Sequence, residues 1–337
     1  MPNASNRLPL LLIMMLVAGC RHDPQPAPSA ADVDYTQVAI PAFSGDSAYA
    51  AVAAQCAFGP RTPGSHAATQ CALWLADRLR SSCDTVVLQP LTATLWDASR
   101  KSGVNIIGSI NSAAPKRILL AAHWDSRLWA DHDPDEANRH SPVPGANDGA
   151  SGTALLLEMA RVMKEMPPSV GVDFILFDLE DQGQPDWADG YTDNTWCLGS
   201  QHWAANPHTP FYTAVYGILF DMVGTADAPR FTKEQVSRTY APGLTDKLWT
   251  TAAAIGLGQM FVGTATDPIL DDHLYVNQIA GIPMVDIVQN STTTSFFAHW
   301  HTVADNMDAI SPRTLESVAT VVLKTIYADY PSERNEQ

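Results

Sequence analysis

Positive charge is scarce in this 337-residue chain: 20 Lys and Arg stand against 36 Asp and Glu, for a formal charge of −16 at pH 7. That deficit disfavours nucleic acid and anionic membrane surfaces as partners, because both are bound through clustered cations. Cysteine is also sparse, with five residues and no CxxC spacing, which disfavours a thiolate metal site. Cys56, Cys71, Cys83 and Cys197 could form disulfides in an exported chain, but their spacing identifies no pair. There is no internal repeat and no composition shift that marks a boundary between folded domains. What is abundant is core material: 46% of the residues are hydrophobic and 17% charged, enough to bury an extensive interior.

The N-terminus reads differently. Arg7 precedes an apolar run over residues 8–17 and then Ala18-Gly19-Cys20, the pattern of a secretory signal. The run is well short of the roughly 20 residues that a spanning helix needs. Leu16-Val17-Ala18-Gly19-Cys20 resembles the bacterial lipoprotein box, in which the cysteine is lipidated and becomes the new N-terminus. The expectation is a signal over residues 1–20, a Pro/Ala-rich tether over 21–34 and a single catalytic domain over 35–337. The protein would then sit in a bacterial cell envelope, held to a membrane through Cys20 only. An ordinary signal peptide or a short anchor is the alternative.

Beyond the tether, strands and helices alternate. Helices are expected over 44–56 and 66–80 and strands over 85–93, 104–110 and 117–122; the polar stretch over 129–144, rich in Asp, Glu and His, is expected to be a solvated loop, with a second metal site as the alternative. In 151–166 the apolar residues Leu155, Met159, Val162 and Met166 recur at helical spacing, with Glu158, Arg161 and Glu165 on the other side. Residues 172–179 form a nearly continuous apolar run, the mark of a buried central strand. A helix over 199–205, a strand over 214–220, a helix over 244–255, a strand over 283–288 and a helix over 313–330 complete the order. Such alternation implies an α/β fold with a mostly parallel sheet covered on both faces.

In open sheets of this kind, ligands bind outside the carboxyl ends of the strands. Asp125, Glu180, Asp221 and His301 each follow an expected strand. Asp148 lies in the glycine-bracketed turn Gly145-Ala146-Asn147-Asp148-Gly149-Ala150-Ser151-Gly152. The three glycines permit close backbone approach or positive φ around that carboxylate. Carboxylates and imidazoles without thiolates suit zinc in an open catalytic site. Glu180 and Asp181 are adjacent, so in extended backbone their side chains diverge, leaving one for metal and the other for protons. Burial beside other carboxylates would raise the pKa of such a base toward its working range.

His123-Trp124-Asp125-Ser126, the 145–152 turn, Glu180-Asp181, Phe220-Asp221-Met222-Val223-Gly224 and His301-Thr302 together resemble the zinc aminopeptidase superfamily. Trp300 directly before His301, Asp271-Asp272-His273 followed by Gly281-Ile282-Pro283, and Thr195 through Ser200 bring the resemblance closer to its glutaminyl cyclase branch. The resemblance implies an α/β/α sandwich with a mostly parallel, mixed sheet and one zinc ion per chain, held by Asp148, Asp181 and His301. It implies that Glu180 transfers the proton, that Asp221 and Asp271 form a hydrogen-bonded acidic pair, and that Trp300 and Trp187 line the substrate pocket. The substrates would be peptides or proteins with N-terminal glutamine, cyclised to pyroglutamate with release of ammonia. Three departures stand out. Asp181 replaces the second Glu of the animal pair, Ala122 stands where the animal enzyme has a cysteine, and Trp187 lies one residue out of register.

Two other readings use the same residues. His123, Asp148 and Asp221 could hold a second zinc, giving a two-zinc metalloaminopeptidase that activates water. A surface binding ectodomain that keeps the fold without catalysis is the other, and the intact Glu180 argues against it.

Overall fold

The computed structural model describes residues 33–290 and 296–333. Cys20, the leader and the tether up to residue 32 lie outside the described residues. Helix α1 (Gly45–Ala57) starts where the Ser44 hydroxyl accepts the Ser47 amide, and α2 (His66–Ser82) where the Ser65 hydroxyl accepts that of Ala68. The strands β1 (Thr85–Thr94), β2 (Arg100–Ile110) and β3 (Arg117–His123) follow, then α3 (Ala150–Glu165), β4 (Gly171–Phe177), α4 (Leu198–Ala205) and β5 (Gly217–Asp221). The C-terminal part adds β6 (Phe231–Lys233), α5 (Gln235–Tyr240), α6 (Pro242–Ala254), β7 (Phe261–Ala265), α7 (Asp272–Tyr275), β8 (Met284–Val288) and α8 (Pro312–Asp329).

Six strands form one sheet in the order β1-β2-β4-β3-β5-β8. Pairing is antiparallel for β1 with β2 and β2 with β4, and parallel for β4-β3, β3-β5 and β5-β8. Alternation along each strand divides the core into two layers. Ile118, Leu120 and Ala122 of β3, with Phe174 and Leu176 of β4, face the layer built by α1, α2, α3 and α8. Leu119, Ala121, Ile175 and Phe177 face the layer that contains Trp203 of α4 and Val276. The strands carry side chains for both layers, which is why they read as unbroken apolar runs.

Several local expectations need correction. The strand expected from residue 214 begins at Gly217, where pairing with Met284 of β8 starts. Glu158, on the side of α3 away from Leu155 and Met159 in the sequence pattern, is buried all the same: its carboxylate accepts the Ser44 amide at 3.2 Å and pairs with Arg161 at 2.7 Å, because α1 starts directly over it. The loop over 129–144 is not uniformly solvated, since Asp131 and Asp133 are buried. Asp133 takes the amides of Asp135 and Val303, tying this loop to the one that carries His301. A small parallel sheet of β6 and β7 adds to the expected elements. Cys56, Cys71, Cys83 and Cys197 are free thiols, and burial pushes Cys71 and Cys83 up to about 12. Among the described residues, no helix is long and apolar enough to cross a membrane.

Candidate metal centre and pocket

The carboxyl ends of β3, β4 and β5 lie side by side, and the side chains that leave them converge. β3 delivers His123, whose Nε2 is 3.1 Å from Asp148 Oδ1 and 3.2 Å from Asp221 Oδ1 at the end of β5. The turn that presents Asp148 depends on glycine. Gly149 has φ of +98°, and a Cβ there would run into the carbonyl of Asp125. A Cβ on Gly152 would meet the carbonyl of Phe220, so this glycine lets α3 lie directly against β5.

Beyond β4 the chain turns sharply at Leu179, φ +58°, and carries Glu180 and Asp181. Asp125 fixes this corner by accepting the amides of Glu180 and Asp181 at 3.1 and 3.2 Å and the Gln182 side chain at 2.9 Å. The two carboxylates then diverge, although the backbone here is a bend rather than the extended strand expected, because Asp125 pins their two amides. Asp181 Oδ1 lies 3.1 Å from His301 Nε2, whereas Glu180 Oε1 accepts the Cys197 thiol at 3.2 Å. His301, at φ +55°, also places Nε2 3.8 Å from Asp148 Oδ2.

Asp148, Asp181 and His301 thus offer ligand atoms within 4.8 Å of one another, and His123, Asp148 and Asp221 form a second such group that shares Asp148. All five residues are buried, and Asp181 Oδ2 has no hydrogen-bond partner, so the donor set fits a divalent cation that binds nitrogen and oxygen. Burial pushes the Glu180 carboxyl well above its ordinary range, and the charges of Asp271, Asp181 and Asp272 push the same way against His123. Asp221 is pushed up to about 7, chiefly by burial.

A cavity of about 360 Å³ opens on this edge, lined by Glu180, Asp221, Asp271 and His301 and walled by Trp196 and Trp300. Trp300 stacks on His301 with centroids 3.7 Å apart, so its position follows from that of the histidine. Trp187, the other expected wall, does not line the cavity. It is 40% exposed and packs edge-on against Trp129 at 6.0 Å and against His140, because its loop runs outside the pocket mouth. Trp196 takes that place, with its ring parallel to His301 at 5.9 Å. The acidic pair also differs from expectation. Asp221 is turned toward His123, and Asp271 Oδ1 accepts the backbone amide of Asp272 at 2.5 Å.

From sequence, neither Trp196 nor Asp305, which accepts the amides of Asn147 and Asp148, receives a site role. The motif over 195–200 was the available signal for Trp196; Asp305 carried none apart from its position after His301.

The model of peptidase family M28 matches residues 105–326. The crystal structure of glutaminyl cyclase from Bacteroides thetaiotaomicron, bound to N-acetylhistamine, is 43% identical, covers 86% of this chain and 99% of its own, and superposes with a TM-score of 0.84. A Zn-dependent exopeptidase from Parabacteroides distasonis is 44% identical with the same coverages and a TM-score of 0.83. An aminopeptidase of Bacillus subtilis is 27% identical over 72% of this chain, and the match spans 48% of that relative, about half its length.

Proposed function

The chain belongs to peptidase family M28, and from that membership together with the walls of its pocket we propose that it cyclises N-terminal glutaminyl residues of peptides and proteins to pyroglutamate, releasing ammonia. The observation that carries this reading is the pairing of a small indole-walled cavity with Glu180, a buried carboxylate that points away from Asp181 and His301. A cavity of about 360 Å³ accommodates one folded residue, and its aromatic walls suit the short aliphatic stem of glutamine.

Asp148, Asp181 and His301 would hold zinc, which when bound polarises the substrate's side-chain carbonyl as a Lewis acid. Glu180 takes a proton from the substrate's α-amine as that nitrogen bonds to the side-chain carbonyl carbon. It returns a proton to the amide nitrogen as the carbon–nitrogen bond breaks and ammonia leaves. A carboxyl whose pKa is raised toward the working pH can do both. Trp196 and Trp300 restrict the substrate to conformers in which amine and amide meet, and in an intramolecular attack that restriction supplies much of the rate. Asp271, close to Glu180 in the same cavity wall, favours the protonated state of Glu180 through its charge.

The test is the product. Wild-type protein should convert glutaminyl peptides to pyroglutamyl peptides, with loss of ammonia and every peptide bond intact, and Glu180→Gln should keep zinc but cyclise about 10²-fold more slowly. The cluster of His123, Asp148 and Asp221 favours one competing reading, a two-zinc aminopeptidase. Free N-terminal amino acids and two zinc ions per chain would establish that reading instead; one zinc ion per chain is expected here.

The cellular location follows from Leu16 to Cys20: we infer a lipidated Cys20 in the bacterial envelope, ahead of a single catalytic domain. Cys20→Ser should release the protein from membranes with its activity intact, and a native N-terminus elsewhere would rule this out.

A further inference from the structure

Arg127 lies in the loop after β3 with its side chain 1% exposed. Removing a guanidinium from water is costly, and an apolar side chain could fill the space, so its partners explain its place. Nε donates to Asp131 Oδ1 at 2.7 Å and Nη2 to Asp131 Oδ2 at 2.6 Å, a two-pronged pair. Nη1 donates to the Asp181 carbonyl at 3.2 Å and lies 3.5 Å from Asp181 Oδ1. The guanidinium carbon is 4.6 Å from the centroid of Trp196 and 5.6 Å from that of Trp129. Asp131 in turn places Oδ1 3.4 Å from His301 Nδ1, on the side of the ring away from Asp181 and Asp148, an electrostatic contact longer than a full hydrogen bond.

We propose that Arg127 is a positioning residue of the metal centre and the substrate pocket together. Through Asp131 it orients His301 with Nε2 toward Asp148 and Asp181, and through the Asp181 carbonyl it fixes the corner that presents that carboxylate. Through its flat face it seats Trp196, the pocket wall. A carboxylate on the far nitrogen of a metal-binding histidine fixes its tautomer and strengthens it as a ligand. Arg127 immobilises that carboxylate through its two-pronged pair, and it couples metal and wall so that their separation does not vary. The proposal rests on the assignment of Asp148, Asp181 and His301 as zinc ligands.

Two variants test it. Arg127→Lys keeps the charge but loses the fork and the flat face; Asp131→Asn keeps the shape and loses the carboxylate. Zinc affinity is measured by chelator competition, and kcat and KM with a glutaminyl peptide at saturating zinc. Both variants should bind zinc about 10- to 100-fold more weakly. Only Arg127→Lys should also raise KM several-fold, because only it releases Trp196. The double variant should bind zinc no more weakly than the worse single, since Asp131→Asn breaks only a link that Arg127→Lys breaks as well. Variants with wild-type zinc affinity and KM but a lower unfolding midpoint would make Arg127 a packing residue and overturn the proposal. If Arg127→Lys does not fold, Asp131→Asn decides on zinc affinity alone, with wild-type affinity overturning the proposal. Wild-type protein that takes up no zinc would overturn the ligand assignment as well, whereas normal uptake with unaffected variants overturns only the role of Arg127.

Discussion

Asp305 accepts the backbone amide of Asp148 at 3.0 Å, joining two loops that lie 157 residues apart in the chain. Its other oxygen takes the amide of Asn147 at 2.8 Å, and its own carbonyl receives Ala146. The turn that presents Asp148 is therefore held by the loop that carries His301, and two candidate ligands share one clamp. Asp305→Asn would set an NH₂ group against one of these two amides, leaving a buried donor without an acceptor. The expected loss is about 1–3 kcal/mol of stability with weaker zinc retention, checked by denaturant unfolding and metal analysis. Unchanged stability would show that the clamp contributes nothing.

The same residue predicts a pH dependence. Burial, reinforced by the charge of Asp148, pushes the Asp305 carboxyl up to about 8, against about 4 in an unfolded chain. Between those values the folded protein holds a proton that the unfolded chain has lost, so this group's contribution to stability is fully present below about pH 4 and falls as pH rises toward 8. In zinc-free protein, the difference in unfolding free energy between wild type and Asp305→Asn should shrink from pH 5 to pH 8. A difference that grows with pH would contradict the assignment.

The tryptophans give a kinetic contrast. Trp196 walls the cavity while Trp187 packs outside it. Trp196→Ala should raise KM for a glutaminyl peptide about 10-fold, the scale of one buried aromatic contact. Trp187→Ala should change it by less than about twofold. The reverse order in steady-state kinetics would restore Trp187 to the pocket.

Gly152 tests the packing of α3 on the sheet. A Cβ there meets the Phe220 carbonyl, a backbone atom that cannot rotate aside. Gly152→Ala should cost about 1–3 kcal/mol, and because Phe220 precedes Asp221 it should also disturb the site. Unfolding midpoints near wild type would mean that the helix shifts freely.

What the sequence determined by itself follows from local physics. Helical spacing placed Leu155, Met159 and Val162 on the buried face of α3, and the apolar run of β4 announced a strand covered on both sides. Ordered alternation put the strand ends on one edge, so His123, Glu180, Asp181 and Asp221 could be gathered before any coordinates, and the glycines around Asp148 signalled close approach. Backbone hydrogen bonding and side-chain alternation depend on neighbours a few residues away, and those are written in the sequence. The tertiary structure decided which loops cross above that edge. Nothing local seats Trp196 rather than Trp187 in the pocket wall, sets Arg127 between Asp131 and Trp196, or lays α1 over Glu158. Each of these contacts joins segments that lack a shared periodicity. They are fixed by the need of buried charges and amides for partners, and that need is met only after the chain has closed around them.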